Sequence, residues 1–202
     1  MKKIIFLIFA TCISLFCTAQ THDLSAEELA AFKTQCLERI DAFQMGLEII
    51  ADKQQDLSIK QHYINTLPDM FLGKGERWTD TNGEIHPAVT MQTAVKKSKG
   101  VVEYDSKPLK TYLYNLRNLR WKQIKISKAK TCMISNFYKR SENLYEATAT
   151  FYQYMEGYGN EGYVYRDKTQ KDVKIYISRV EDGQLGTYWD MKFGDINVSA
   201  IE

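Results

Sequence analysis

The stretch MEGYGNEGYVY contains Gly157, Gly159 and Gly162 in the G-x-G-x-x-G spacing that is typical of dinucleotide-binding loops. In that chemistry the glycine loop leads from a strand into a helix, because the N-terminus of the helix receives the pyrophosphate. Here the loop leads into YVYRD, whose aromatic and β-branched residues indicate a second strand. The glycines therefore predict a hairpin in which they supply positive φ angles, and we expect no nucleotide cofactor.

Two further patterns of reactive residues lack the context that their chemistry requires. Ser127 and Lys130 match the S-x-x-K spacing of serine acyl-enzymes, but that chemistry places the serine at the start of a helix, and this segment has the pattern of a strand. The three histidines, His22, His62 and His86, are not spaced as paired zinc ligands. We expect surface or capping roles for them and predict no catalytic residue, no metal site and no cofactor.

The N-terminus has the features of a secretory signal peptide. Two lysines precede an apolar run over residues 4–16, and small residues precede a cleavage site after position 19. Lipidation of Cys17 is the alternative, although the bulky Phe16 before it disfavours a lipoprotein signal. Because the apolar run is too short to span a membrane, we expect a signal peptide over residues 1–19 and an exported, periplasmic or secreted domain over residues 20–202.

The mature chain is predicted to be close to neutral, because the signal removes two of the 27 lysines and arginines and none of the 25 acidic residues. A neutral chain has no global attraction to nucleic acid, and we interpret the basic run over residues 117–130 as the solvated face of a strand. Three prolines and no internal repeat indicate one domain. Export would permit a disulfide between Cys36 and Cys132, but Cys36 lies on an apolar stripe, which favours a buried free thiol.

The secondary-structure pattern places helices first and strands last. Ser25 and Glu28 form a capping-box pair before a long helix, whose apolar stripe is Leu29, Phe32, Cys36, Ile40, Phe43, Leu47 and Ile50. Shorter helices are predicted over residues 58–67, ended by Pro68, and over residues 107–119. Strands are predicted after Pro87 and over residues 122–137, 144–156, 163–166 continuing through 173–180, and 188–198. This order predicts an α+β fold with an antiparallel sheet.

The stretches YEATATFYQYMEG, DVKIYISRV and YWDMKFGDINV resemble the last long strands of exported, Bacteroidetes-type members of the nuclear-transport-factor-like (NTF2-like; SnoaL or ketosteroid-isomerase-like) superfamily. With the element order, the resemblance covers residues 24–198. It implies a curved antiparallel sheet that wraps the long first helix as a cone, with a pocket between the concave face and the helices. The superfamily carries isomerases, dehydratases, transport factors and binding modules, so the fold does not select a function.

Strand alternation predicts which residues line that pocket. One face of residues 144–156 carries Tyr145, Phe151, Gln153 and Met155, and the same argument turns Trp189 inward from the last strand. We predict these five residues as pocket wall, with Val173, Ile175 and Ile177 also facing inward. The predicted inner face supplies no Asp or Glu, which counts against catalysis because isomerase chemistry needs a carboxylate inside the apolar pocket.

Three functions follow from this reading. The first is a non-enzymatic exported domain that binds a small apolar or glycan-like ligand in its cone. The second is a protein-interaction module that forms a homodimer through the outer sheet face, where the candidate interface residues are Thr148, Thr150, Tyr152 and Tyr154. The third is a SnoaL-type lyase or isomerase, which requires an ionisable group buried in the cone.

Overall fold

A computed structural model of the chain describes residues 23–80, 83–97 and 100–202, with the backbone alone for residues 128–131, 163 and 164. The predicted signal peptide, residues 1–19, lies outside the described residues, as does His22. In the part of the chain that is described, no helix is both long enough and apolar enough to cross a membrane.

Three α-helices occur in the described residues: α1 (Ala26–Ala51), α2 (Leu57–Thr66) and α3 (Leu109–Arg117). The predicted capping box opens α1, since Ser25 Oγ accepts a hydrogen bond from the Glu28 amide at 3.2 Å and Glu28 Oε2 accepts one from the Ser25 amide at 2.8 Å. As predicted, α2 ends before Pro68, which starts a 3-10 turn (Leu67–Met70) because proline lacks the N–H that an α-helix needs. A second such turn (Leu72–Gly75) leads into the strands.

The strands are β1 (Trp78–Thr79), β2 (Ile85–His86), β3 (Thr90–Lys96), β4 (Val102–Pro108), β5 (Gln123–Ile134), β6 (Tyr138–Ser141), β7 (Leu144–Gly159), β8 (Gly162–Asp182) and β9 (Gly186–Ile201). Among the described residues β1 and β2 form a small hairpin, and the other seven strands form one sheet in the order β4-β3-β9-β8-β7-β5, with β6 on β7. Every pair in this sheet is antiparallel except β3 and β9, which pair in parallel.

Five strands differ from the sequence-based expectation. No strand was predicted in the short segments that form β1, β2 and β6. Most of β4 had no assignment, and its last two residues were predicted as the start of a helix. It is an edge strand on which most side chains are exposed, so it carries no alternating apolar signal. β8 is one continuous strand of 21 residues, and residues 167–172, between the predicted parts 163–166 and 173–180, belong to it as well. The continuity of β8 decides which residues of its middle section face the helices.

The sheet curves around α1, because this one helix contacts well-separated strands. The Leu24 amide donates to Tyr145 Oη on β7 at 3.2 Å, and Arg39 Nη1 donates to the Met191 carbonyl on β9. α1 also packs against β5 at the sheet edge. The core lies between the helix and this concave face, and its apolar stripe from Cys36 to Ile50 is buried as predicted. The α+β fold class and the wrapped helix that the resemblance implies are therefore confirmed.

Candidate functional site

Cross-strand pairing divides the concave face into an apolar half and a polar half. In an antiparallel pair, residues directly opposite each other share a face. The three pairs near the start of α1 are apolar: Tyr145 with Ile177, Ala147 with Ile175, and Ala149 with Val173. The next four pairs carry the polar groups: Phe151 with Lys171, Gln153 with Thr169, Met155 with Asp167, and Gly157 with Tyr165.

The polar half corrects the prediction that the inner face carries no acidic residue. Asp167 is 8% exposed and Lys171 is 2% exposed, and both side chains lie on the concave face. The prediction failed because the alternation was followed only from Val173 onward. The signal was present in the sequence, since positions 165, 167, 169 and 171 have the same parity as Val173 and continue its face.

Asp167 is a buried carboxylate with one neutral hydrogen-bond donor. Tyr165 Oη donates to Asp167 Oδ2 at 2.5 Å. Burial raises the pKa of Asp167, because a low-dielectric surrounding disfavours the charged form, while the Tyr165 hydrogen bond and the charge of Lys171 oppose that rise. The same carboxylate also affects Tyr112 on α3. Burial raises the pKa of the Tyr112 phenol, and the negative charge of Asp167 raises this pKa further.

Lys171 is a buried amine anchored to the neighbouring part of the sheet. Its Nζ donates to the Gln92 carbonyl on β3 at 2.7 Å, and Gln92 Oε1 accepts the Val198 amide of β9 at 3.0 Å. Burial lowers the pKa of Lys171 to about 8, and the charge of Asp167 opposes that change. Near neutral pH this amine can therefore gain or lose a proton, which an ordinary surface lysine does not do.

Solvent reaches this polar half at what we call the open end of the concave face. The open end is formed by Asp167 together with the half-buried side chains of Tyr112, Trp121, Met155 and Tyr165. The Trp121 and Tyr165 rings stack with centroids 5.4 Å apart and planes inclined by 30°. Aromatic walls beside a few polar groups are typical of small-molecule sites.

Gly157 allows Trp121 to cover the open end. A Cβ atom added to Gly157 would lie 2.3 Å from the Trp121 ring, closer than real contacts allow. The predicted hairpin is confirmed, since β7 runs directly into β8 and no helix follows the glycines. The predicted reason holds only for Gly162, whose φ is 105°, because among the described residues Gly157 and Gly159 do not have positive φ. Gly157 is needed for another reason, because the absence of a side chain lets the Trp121 ring pack directly against the strand.

The end of α3 is fixed beside the open end by a lysine from the segment after α1. Lys53 Nζ donates to the Arg117 carbonyl at 3.0 Å and to the Leu119 carbonyl at 2.6 Å. The Arg117 carbonyl is the last of α3 and Leu119 follows its C-cap, so the amine lies at the helix C-terminus, where the helix dipole favours a positive charge. The contact holds the chain that leads to Trp121.

The five predicted pocket-wall residues fall into two separate groups, and their role as ligand contacts stays a prediction. Tyr145 is buried and meets half-buried Trp189 edge to face, with ring centroids 5.4 Å apart, at the apolar end. Phe151 is a core residue at 2% exposure. Gln153 and Met155 lie eight and ten residues further along β7, roughly 30 Å from Tyr145 along the strand, and belong to the polar half.

The predicted interface residues lie on the outer face of β7, and their role also stays a prediction. Thr150 Oγ1 donates to Asp172 Oδ1 at 2.7 Å, and Lys168 lies over the Tyr152 ring at 4.6 Å from its centroid. Tyr154 lines a surface cleft of about 980 Å³, whose other walls are α1, the β5 edge and charged outer residues of β7 and β8. Arg166 pairs with Glu156, and Lys168 pairs with Glu202, within this cleft. The cleft also takes in Ile124 and Ile126 of β5, whose cross-strand partners Gly157 and Met155 lie on the concave face.

The remaining candidate residues from the sequence do not join the open end. Ser127 lies exposed in β5, which supports the strand interpretation of the S-x-x-K match. His62 is exposed on α2, with its ring edge to face on Tyr63. His86, with Asp80 and Glu84, forms a group whose ligand atoms lie within 4.8 Å of one another in the β1–β2 hairpin. There His86 Nε2 lies 3.1 Å from Asp80 Oδ2, and Asp80 Oδ1 accepts the Glu84 amide at 2.8 Å, so hairpin closure accounts for this group.

Comparisons with known proteins add distant structural similarities. No protein-family model and no curated protein matches the chain. A candidate scytalone dehydratase from Novosphingobium aromaticivorans is similar over 87% of this chain and 90% of its own, at 10% identity and a TM-score of 0.42. A protein from Kribbella flavida is similar over 85% and 95%, at 14% identity and a TM-score of 0.38. A protein from Catenulispora acidiphila, solved in complex with S-DNPA, is similar over 84% and 92%, at 10% identity and a TM-score of 0.37.

Proposed function

We propose that the open end of the concave face binds a small organic molecule that carries both an apolar body and polar groups. The observation that supports this proposal is the buried Asp167, which is hydrogen-bonded to Tyr165 next to Trp121, with Lys171 further along the same face. Burying a carboxylate and an amine costs stability, and an apolar residue at either position would avoid that cost. Their place on one face, with Asp167 at the open end and Lys171 further in, favours a ligand site over a structural role.

The three tryptophans of the chain allow a test with internal controls. Trp121 lies at the open end, Trp189 packs on Tyr145 at the apolar end, and Trp78 stacks on His86 in the β1–β2 hairpin. A panel of small polar fragments is titrated into the 15N-labelled protein, and the indole N–H resonances are followed. We expect at least one fragment to shift the Trp121 resonance in a saturable way while the other two stay in place.

Substitution of the carboxylate then connects binding to Asp167. Asp167→Asn removes the charge but keeps the shape, and it should weaken the binding of that fragment about ten-fold, the equivalent of about 1.4 kcal/mol. Asp172→Asn, on the outer face of the same strand, is the matched control and should leave the affinity unchanged. The proposal is wrong if no fragment moves Trp121, or if all three indole resonances move together.

A second candidate function is proton transfer of the lyase or isomerase class, and the hydrogen-bonded pair of Tyr165 and Asp167, with Lys171 on the same face, favours it. A buried carboxylate with a raised pKa is a suitable base for removing a proton from carbon. The test follows the exchange of the α-protons of cyclohexanone with deuterium from D2O by NMR. Exchange that is faster than in buffer and is lost in Asp167→Asn supports an enzyme. Exchange equal to the buffer rate leaves the non-enzymatic binding domain, whether its ligand is apolar or glycan-like.

Two proposals rest on the sequence alone. Homodimerisation through Thr148, Thr150, Tyr152 and Tyr154 is tested by sedimentation, in which a dimer should be lost in the double variant Tyr152→Asp, Tyr154→Asp. Export is tested by N-terminal sequencing of the protein from its native cell, where a mature chain that begins at Gln20 is expected.

A further inference from the structure

Gln44 is a buried residue in the C-terminal half of α1, and the nitrogen of its side-chain amide has no hydrogen-bond partner. The residue is 1% exposed and faces the sheet at Gln153. Gln153 Nε2 donates to Gln44 Oε1 at 3.1 Å, which satisfies the carbonyl side of the Gln44 amide. Among the buried side chains that the structure describes, Gln44 Nε2 is the one nitrogen or oxygen without a hydrogen-bond partner.

An unpaired amide at this position costs stability, and the fold does not require it. Buried polar groups in folded proteins almost always have a hydrogen-bond partner, so a group without one needs an explanation. A leucine or methionine would fill a similar volume on the same helix face without leaving a donor unpaired. An acceptor from outside the chain would offset this cost.

Gln44 belongs to the polar half already described. Its partner Gln153 pairs directly with Thr169 on β8, and Asp167 is the next inward residue along that strand. Diagonal neighbours on one face of an antiparallel pair are about 7–8 Å apart, so Gln153 and Asp167 are separated by roughly the length of a six-membered ring with one substituent. Gln153, which contacts Gln44, therefore lies about one small ring further into the concave face than Asp167.

We propose that Gln44 is a specificity-determining residue, whose Nε2 donates a hydrogen bond to an uncharged oxygen acceptor of the ligand, such as an ether or carbonyl oxygen. This inference rests on the proposed binding function of the open end. An ether or carbonyl oxygen fits because it accepts a hydrogen bond and brings no donor that would itself need a partner in this buried place. A hydrocarbon of the same shape leaves Gln44 Nε2 unpaired and is discriminated against, as buried polar groups in enzyme pockets reject analogues that lack the matching group.

The experiment uses tetrahydropyran, a six-membered ring with one ether oxygen, as the probe. It is titrated into the 15N-labelled protein while two signals are followed: the Gln44 side-chain NH2 pair, assigned by its absence in Gln44→Met, and the Trp121 indole N–H. We expect both to shift with the same saturation curve. Gln44→Met should weaken the affinity about five-fold, which corresponds to the loss of one neutral hydrogen bond. Gln170→Met, whose amide on the outer face donates to Ser199 Oγ, is the matched control and should bind normally.

The outcomes separate this inference from the proposal on which it rests. A shift of the Trp121 signal without a shift of the Gln44 signal means that tetrahydropyran binds at the open end but does not accept a hydrogen bond from Gln44. The inference would then be wrong, and the proposed function would be supported. If neither signal moves, the inference is wrong. The proposed function is tested separately by the panel of polar fragments.

A stability measurement tests the same inference without any ligand. The double variant Gln44→Met, Gln153→Met removes both amides together, so it leaves neither side chain with a lost partner. If the unpaired donor is kept for a ligand, the ligand-free double variant should have a Tm equal to or higher than that of the wild type. A clearly lower Tm would show that the two amides hold the fold, and this result would overturn the inference.

Discussion

Lys171 provides the sharpest quantitative test of the buried polar half. Burial lowers its pKa from the ordinary value of 10.5 to about 8, and the side chain is 2% exposed, so solvent screening does not reduce the effect. A group whose pKa is depressed on folding contributes stability that is present above the unfolded pKa and is lost as the pH falls through the folded pKa. The folded protein should therefore gain stability from Lys171 as the pH rises from 8 towards 10.5.

The size of this gain follows from the two pKa values. Between pH 7 and pH 10 the difference in proton binding between the unfolded and folded states integrates to about 2.5 kcal/mol, at roughly 1.4 kcal/mol for each pH unit in which the two states differ fully. Other groups also titrate over this range, so the quantity to measure is the difference between two proteins. In Lys171→Met the contribution of this one amine is absent.

The assay is urea unfolding of the wild type and Lys171→Met at pH 7, 8, 9 and 10. The free energy of unfolding of the wild type, relative to the variant, should rise by about 2.5 kcal/mol over that range. The control is Lys174→Met, because Lys174 lies three residues further along β8 and is exposed. This variant loses a lysine but no buried charge, so its free energy of unfolding at pH 7 should differ from that of the wild type by no more than about 0.5 kcal/mol. Parallel curves for the wild type and Lys171→Met would refute the claim that Lys171 is held in a dry, perturbed site.

Two further predictions concern close packing and thiol reactivity. Gly157→Ala should destabilise the protein by about 1–3 kcal/mol because the added Cβ would meet the Trp121 ring, whereas Gly183→Ala, where a Cβ meets nothing within 4 Å, should be close to neutral; thermal unfolding compares the two. Burial and the neighbouring Cys132 raise the pKa of the Cys36 thiol to about 12, so alkylation at pH 8 followed by mass spectrometry should label half-buried Cys132 and leave Cys36 unmodified in the folded protein. Equal labelling of both thiols would contradict the packing of Cys36.

The fold was largely predictable from the sequence because its signals are local. The capping box at Ser25 and the stripe from Cys36 to Ile50 each lie within a few turns of helix, and both were found where predicted. β4 was missed because it is an edge strand with exposed side chains, and the parallel pairing of β3 with β9 was missed because it joins residues about a hundred positions apart. The periodic pattern of apolar residues along a strand carries no information on which distant strand it pairs with.

The candidate site was only partly predictable, for two different reasons. Asp167 and Lys171 lie in KTQKD and its flanks, a charged segment that looks solvated, and only its position between two apolar parts of one long strand turns it inward. Gln153 was predicted on the inner face, but its contact with Gln44 joins residues 109 positions apart and depends on how α1 lies in the sheet. Strand alternation can place Asp167 and Lys171 on the inner face, whereas the contact between Gln44 and Gln153 can be found only in the packed structure.

The buried acid and amine also constrain how a ligand would affect the site. Burial moves the two pKa values towards each other, because it raises that of Asp167 and lowers that of Lys171. A ligand at the open end that donates a hydrogen bond to Asp167 favours the charged carboxylate and should lower its pKa, so binding an uncharged molecule should be accompanied by proton release. Affinity for such a molecule should therefore weaken as the pH falls through the pKa of Asp167, and this dependence should disappear in Asp167→Asn. Isothermal titration of the fragment that shifts Trp121, in two buffers of different ionisation enthalpy, measures the proton count directly. A count of zero in both proteins would mean that the ligand does not hydrogen-bond to this carboxylate.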